Sequence, residues 1–477
     1  MKKEFILVIA VVISGFVLFL SLVEFRNPVS TSGDIEDNSL VLAVGIDKAT
    51  QENNKIRLTV IGEKFSSSSQ DKSSQSQGKN ADIASAEGST MFDTIRNFSL
   101  FESKSLFFGH IKYILINENI AKENILDVLD FFIRDHELRL DTKIVIVKDM
   151  SAEAFLRSGD KVEQFIPDAL EGVFHNTGKI SISSEIELAD LMQTFDSEYS
   201  DAYIPSIGIV KLKKDEMEST SQAGNTSQTE GTSKKENISQ TENTSQIGSS
   251  AKVVSDSKKE ESSQPVNSST SEDSSKTESS SEAKSTSQST SKESYYLNLD
   301  GYATFNGTKL LGYISDYTAR GLNWLNGNVK TGVIVVKDSK GSDISMEILR
   351  AQSKINLKLN NDVPEAEINI QFSSNLAEVM SQDNVFYQEE TKKLKEEQEN
   401  SVKREAEMAL EYAQKNGIDI IKMGDAVYHK YPLKWDDMKD NWKEIFKKMK
   451  ITIKVDANIG TVYHIRQPVG SKSGENK

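Results

Sequence analysis

Apolar positions along this chain keep two rhythms, and the places where one gives way to the other mark its elements. "LVLAVGIDKA" (40–49) and "KIRLTVIGEKF" (55–65) are rich in β-branched residues and flank a polar turn, which predicts a strand pair. In "TMFDTIRNFSLFE", Phe92, Ile95 and Phe98 recur at helical spacing. "SLFFGHIKYILI" then predicts a strand, and "NENIAKENILDVLDFFIRD" a helix with Ile120, Ile125, Leu126, Leu129 and Phe132 on one side. "LDTKIVIVKD" returns to strand, so this half of the chain predicts a βαβ-like α/β unit.

The carboxyl-terminal third repeats the theme with its own proportions. "TGVIVVKD", "ISMEILRAQSKINLKL" and "EAEINIQF" predict strands ahead of a charged helical segment over 383–416. Pairs such as Glu390 with Lys393 and Glu399 with Lys403 steady an exposed helix by a few tenths of a kcal/mol each, and Gly417 suits its C-cap. A sustained apolar heptad is missing, so the helix is expected to pack one face rather than to enter a coiled coil. A shorter helix over 435–448 and a last strand, "KITIKVDANI", complete an antiparallel sheet covered by the long helix.

Two stretches are too polar for a packed core. Residues 66–89 read as a low-complexity loop. Residues 215–293 contain 24 serines and no aromatic, and their 14 acids against 8 lysines leave a net charge of −6. Such a tract buries too little apolar surface to offset its ordering entropy, which predicts disorder. Its flanks, "YIPSIGIVKLKK" and "YYLNLDGYATFNGTKLLGYI", both predict strands, the second with an Asn306-Gly307 hairpin signal. The tract is therefore expected to be an insertion between paired strands, since closure cost grows only with the logarithm of loop length. Its Asn-x-Ser/Thr triplets follow from its serine content and carry no functional weight.

One run differs from all of these. Residues 5–23, "FILVIAVVISGFVLFLSLV", hold 19 uncharged residues, including Phe5, Ile6, Leu7, Val8, Val17, Leu18, Leu20 and Val23. At about 1.5 Å per residue a helix of that length reaches roughly 28 Å, near the hydrocarbon thickness of a bilayer. A secretory signal has a shorter apolar core, of about 7–15 residues. The run is expected to be a single-pass anchor within 1–28. Lys2 and Lys3 ahead of it place the amino terminus in the cytoplasm and the bulk of the chain outside.

Composition narrows the function classes. Of 477 residues 37% are hydrophobic and 27% charged, so the remainder reads as water-soluble, and a formal charge of −15 argues against a nucleic-acid partner, which would need a clustered positive surface. The absence of cysteine removes disulfides, thiolate metal sites and lipid-bearing cysteines. The histidines, His110, His136, His175, His429 and His464, show no metal-binding spacing, and no Walker loop, GxGxxG turn or GxSxG elbow is present. Adjacent carboxylates such as Asp436-Asp437 and Glu389-Glu390 read as solvated surface, and His110 as a hydrogen-bonded structural residue. No catalytic role, cofactor or metal is expected.

Several stretches together resemble the Ger(x)C family, the C subunits of the nutrient germinant receptors of bacterial endospores. They are "LAVGIDKA" with Gly45 and Asp47, then Phe108-Gly109-His110 and Phe132-Ile133-Arg134-Asp135, and finally Arg320-Gly321-Leu322-Asn323-Trp324-Leu325 within "GYATFNGTKLLGYISDYTARGLNWLNG". The resemblance implies three mixed α/β domains on the outer face of the spore inner membrane. It also implies assembly with a large A subunit and a permease-like B subunit, and action in germination without catalysis. The domains are expected over 33–205 (the first to about 150), 294–325 as the rest of the second, and 326–470. The usual member carries a lipoprotein signal ending in cysteine before a Trp-Asp stretch. This chain has neither, so a helix is expected to replace the lipid, and its serine tract exceeds the family's ordinary length.

The family-motif residues also have purely structural readings. Gly45 and Gly109 would allow a bulge or close approach in a strand. Arg134-Asp135 would form a local ion pair. Arg320 beside Trp324 would stack as a cation-π pair or mark a partner surface. Two rival functions are an anchored solute-binding module with a concave aromatic-lined site and an anchored cell-wall hydrolase.

Overall fold

The computed structural model describes residues 38–63, 81–102, 104–135, 137–197, 199–212, 294–380 and 388–460. The expected anchor at 5–23, the serine tract, His136 and His464 lie outside them. Among the described residues no helix is long and apolar enough to cross a membrane.

Strands β1 (Asn38–Lys48) and β2 (Ile56–Glu63) pair antiparallel, as their composition predicts. β3 (Ala81–Gly88) pairs antiparallel with β2, which corrects the reading of residues 66–89 as loop throughout. "ADIASAEG" has Ile83 as its one β-branched residue, so its strand geometry comes from the ladder to β2 rather than from propensity. Helix α1 (Met91–Phe98) starts where the Thr90 side chain accepts from the Asp93 backbone N–H.

The single strand expected next is two, β4 (Ser105–Phe107) and β5 (Tyr113–Asn117), because Phe108–His110 turns and the Ile111 N–H closes on the Phe108 carbonyl at 3.1 Å. The helix after it is also divided, into α2 (Glu118–Ala121) and α3 (Leu126–Arg134), with the Asn124 side chain accepting from the Leu126 N–H at the break. β6 (Lys143–Val147) follows as expected. Helices α4 (Ala152–Leu156), α5 (Gly159–Val162), α6 (Ile166–Thr177) and α7 (Leu188–Asp196) then lead to β7 (Tyr203–Leu212).

β8 (Ser294–Asn306) and β9 (Lys309–Ile314) form the hairpin that Asn306-Gly307 signals, with Gly307 left-handed at φ 58°. β7 and β8 pair antiparallel with Leu212 opposite Ser294, so the two strands flanking the serine tract are direct neighbours. The first sheet has nine strands in the order β3-β2-β1-β5-β6-β7-β8-β9, with β4 added beside β1. Its centre, β1-β5-β6-β7, is parallel and covered on both faces. Alternation divides the side chains. Ile114, Ile116, Ile144 and Ile146 meet α3 and α7 on one face, whereas Tyr113, Leu115, Val145 and Val147 meet α4 and α6 on the other. Strands on both sides of residue 150 share this sheet, so the described residues hold two sheets where the sequence predicts three domains.

Helix α8 (Asp316–Leu325) leads into the second sheet, β10 (Gly332–Lys337), β11 (Asp343–Asn360), β12 (Val363–Val379) and β13 (Lys450–Ile459). Between its last two strands run α9 (Gln388–Asn416), α10 (Met423–Lys430), α11 (Pro432–Met438) and α12 (Trp442–Lys448). β12 and β13 are parallel, so the expected antiparallel sheet is mixed: the chain returns to the sheet through a helical crossover and re-enters in the same direction. α9 does cover the sheet, through Leu394, Val402, Ala406, Ala409 and Ala413, and Gly417 follows it at φ 65°. Its surface pairs differ from those expected. Lys395 meets Glu399 at 3.5 Å and Lys403 meets Glu407 at 3.8 Å, while Lys393 reaches the Asp338 carbonyl.

Candidate functional site

Gly109 and His110 line a cleft of about 810 Å³. An added Cβ on Gly109 would come within 2.6 Å of the Phe107 ring, so glycine lets the turn fold over that side chain. His110 is exposed, and its ring lies 5.6 Å from that of Phe107 without a hydrogen bond among the described residues, which replaces the expected hydrogen-bonded role. Farther in, Tyr113 stacks on Phe174 at 5.9 Å, and burial followed by the nearby Glu185 and Glu171 carboxylates pushes its phenol above the ordinary range. Three ion pairs lie on the cleft wall: Lys112 with Glu171 at 2.9 Å, Arg139 with Asp141 at 2.6 Å and Lys143 with Glu187 at 3.6 Å. The lining thus mixes ion pairs with the stacked Tyr113 and Phe174 rings. Among the described residues no group of three or more acids or histidines is placed to hold a metal ion.

Asp47 and Gly45 act together at one end of β1. The Asp47 carboxylate accepts from the Ala152 and Glu153 backbone N–H groups, both at 2.8 Å, and so caps α4 from outside its own segment. Burial nonetheless raises its pKa above the ordinary value. Two residues earlier, Gly45 admits α4: an added Cβ would lie 2.9 Å from Leu156 and 3.1 Å from Ala152. Beside this joint Arg57 spans Glu153, at 2.6 Å, and Glu87, at 2.9 Å. The Arg57 hydrogen bond is the first cause that lowers the Glu153 pKa, to about 2. Arg57, Glu87 and Glu153 are not signalled by any motif.

The Arg320 run fastens α8 to α9 and β10. Arg320 donates through Nε to Glu405 at 2.8 Å, through Nη2 to the other Glu405 oxygen, and through Nη1 to the Val333 carbonyl at 3.0 Å. Trp324 donates from Nε1 to the same Glu405 carboxylate at 3.0 Å. Arg320 and Trp324 thus share an acid rather than stacking, and the ring under the guanidinium is Tyr317, 5.2 Å away. Both are buried, which removes them from any exposed partner surface. Gly321 sets the spacing: a Cβ there would lie 1.9 Å from the Glu405 carbonyl oxygen, so only glycine lets α8 touch the α9 backbone. Arg134 is different again. It pairs one turn back with Asp130 at 2.7 Å in the open, while Asp135 accepts from the Glu137 N–H, so the two are not the ion pair expected.

A second joint escaped the sequence altogether. Asp201, just before β7, and Asp419, after α9, exchange backbone contacts: the Asp201 N–H donates to the Asp419 carbonyl at 3.0 Å and the Asp419 N–H to the Asp201 carboxylate at 2.8 Å. The Asp419 side chain accepts from the Met423 N–H at 2.9 Å, the Gly424 N–H at 2.6 Å and Trp442 Nε1 at 3.0 Å. Burial outweighs these donors, and with the Asp201 charge beside it the Asp419 pKa is pushed up to about 7.

Residues 32–209 match the family model described as "Spore germination protein N-terminal domain", and residues 300–462 the one described as "Spore germination B3/ GerAC like, C-terminal". Spore germination protein KC of Bacillus subtilis (strain 168) is 21% identical over 433 residues, 89% of this chain and 90% of its own length. Spore germination protein B3 of the same organism is 21% identical over 441 residues, covering 90% and 93%. Among solved structures, the crystal structure of the GerBC protein matches with a TM-score of 0.46 and 16% identity, covering 88% of this chain and 99% of that one.

Proposed function

This chain belongs to the Ger(x)C family of spore germination proteins, and from that premise we propose that it is a membrane-anchored, non-enzymatic subunit of a nutrient germinant receptor. Its work in this reading is assembly. The two α/β sheets stand outside the spore inner membrane on a single helix at 5–23 and dock on membrane-embedded A and B subunits. The observation that carries the proposal is the match of both family models, in chain order, on either side of the serine tract. Asp47, Arg320 and Trp324 each serve the packing of helices in the described residues, which supports reading these motif residues as the frame of a rigid body.

Deletion of the gene, in a strain without a substituting paralogue, is expected to abolish germination with one class of nutrient while leaving non-nutrient germination intact. Unchanged nutrient germination would overturn the role. Copurification of tagged chain with A-like and B-like polytopic proteins from spore membranes tests assembly separately. Digestion of peptidoglycan by the purified chain would instead favour the hydrolase reading.

A further inference from the structure

Three Asn-Gly steps occur in the sequence, Asn306-Gly307, Asn326-Gly327 and Asn416-Gly417, and each glycine is left-handed, with φ 58°, 72° and 65° in turn. Asparagine is a thermolabile residue, and before glycine its side-chain amide carbon is open to the next backbone nitrogen with no Cβ in the way. The three steps share that chemistry and differ in their surroundings.

At Asn306-Gly307 both reacting groups have a partner suited to the reaction. The Gly307 N–H, on the nitrogen that would attack, donates to Asp201 Oδ1 at 3.0 Å. Asn306 Oδ1, on the carbon that would be attacked, accepts from Lys443 Nζ. Lys443 Nζ also stands 3.9 Å from Asp201 Oδ1, so the carboxylate, the cation and the two reacting groups form one cluster. The lysine fixes the orientation of the amide, because an ammonium only donates and therefore faces the oxygen. Asn306 is exposed at the end of β8, and Gly307, Asp201 and Lys443 line a cleft of about 360 Å³, so solvent reaches the site.

The other two steps have no such arrangement among the described residues. Asn326 donates from Nδ2 to the Tyr203 hydroxyl at 3.2 Å and the Ile420 carbonyl at 3.1 Å, and Asn416 donates to the Tyr412 carbonyl at 2.8 Å. Their glycine N–H groups donate to helix carbonyls, of Trp324 at 3.3 Å and of Gln414 at 3.1 Å, and a carbonyl is no base.

We infer that Asn306-Gly307 is a site of self-deamidation, with Asp201 as the base and Lys443 as the partner of the oxyanion. The Gly307 nitrogen attacks Asn306 Cγ as its proton passes to the Asp201 carboxylate, and Lys443 lies beside the oxygen on which negative charge develops. The Cγ–Nδ2 bond then breaks, and ammonia leaves with the proton that Asp201 returns. One water opens the succinimide so formed to aspartate or isoaspartate, and the sum is asparagine plus water to aspartate plus ammonia. The product sets a new carboxylate beside Asp201, where the β8–β9 hairpin meets the Asp201–Asp419 exchange.

The test is peptide mapping by mass spectrometry of the full-length chain held at neutral pH, folded and in denaturing urea, which reads amide-to-acid exchange at all three steps at once. Asn306 is expected to convert at least about tenfold faster in the folded chain than in urea, a modest share of the roughly 10²- to 10⁴-fold that a positioned base contributes. Asn326 and Asn416 should show no such gain. Asp201→Asn and Lys443→Met should each return the folded rate at 306 to about that in urea. Asp201 also accepts from the Asp419 N–H, and Lys443→Met leaves that bond in place, so it separates the chemistry from any loss of structure. Folded protein that converts no faster at 306 than unfolded protein overturns the inference. So does a Lys443→Met chain, folded by its tryptophan fluorescence, that converts as fast as the parent.

Discussion

Replacing Arg320 with alanine tests the attachment of α8 to α9 most directly. The substitution removes two hydrogen bonds to Glu405 and one to the Val333 carbonyl, and leaves the Glu405 carboxylate, 5% exposed, with Trp324 Nε1 as its remaining side-chain donor. Breaking a buried pair from one side costs about 3–5 kcal/mol, because the surviving charge can neither rehydrate nor find a new partner. At 1.4 kcal/mol per decade the folded population falls by roughly two to three and a half decades relative to unfolded. With a urea slope near 3 kcal/mol per molar, suited to a unit of this size, the unfolding midpoint should drop by about 1–1.7 M. All three tryptophans, Trp324, Trp435 and Trp442, are buried in the carboxyl-terminal core, so intrinsic fluorescence follows this transition. The decisive companion is Arg320→Met with Glu405→Leu. It removes both charges at similar volume and should recover to within about 1 kcal/mol of the parent. A midpoint for Arg320→Ala within about 0.3 M of the parent, which the same slope makes about 1 kcal/mol, would refute the reasoning. So would a double variant no better than the single one.

Other expectations follow from the same geometry. Gly321→Ala drives a Cβ onto the Glu405 backbone oxygen and should destabilise by about 1–3 kcal/mol or more, read as a lowered thermal midpoint. Asp47→Ala removes the cap of α4 and should cost about 1–2 kcal/mol, with faster amide exchange at Ala152 and Glu153 as the local signature. Two carboxylates predict opposite pH dependences. Glu153, lowered to about 2, stabilises above its ordinary value near 4.5, and that contribution is lost as pH falls toward 2; Glu153→Gln should flatten this acid limb. Asp419, raised to about 7, contributes fully below its ordinary value near 3.8, and the contribution is lost as pH rises through 7; Asp419→Asn should flatten the neutral limb and leave the acid one. A parent whose stability does not vary between pH 4 and 7 would contradict the second.

What the sequence disclosed depended on whether the cause was local. The strand pair β1–β2, the β8–β9 hairpin at Gly307 and the long α9 are written in composition, turn chemistry and spacing. β3 was hidden because "ADIASAEG" is a strand by virtue of its neighbour. The partner of Arg320 was hidden by distance, since Glu405 is 85 residues away in a helix that reads as solvated. One signal did point to it. Leu394, Gln398, Val402, Glu405, Ala409 and Ala413 recur three and four apart, a buried stripe in which Gln398 and Glu405 are the polar members. The parallel entry of β13 left no trace in its own residues, because "KITIKVDANI" would alternate equally well in either direction.

That parallel entry also bears on how the molecule assembles in time. Every partner in the β12–β13 ladder is 85 positions away, from Glu365 with Lys450 to Ser374 with Ile459, so the ladder cannot close until the whole helical crossover has been made and folded. Until then β12, with 17 residues among the longest strands present, offers an unpaired edge of the kind that recruits other chains. A chain that stops between β12 and β13 is thus more than a shortened protein: it is one that has built its own aggregation template and lacks the strand that would have retired it.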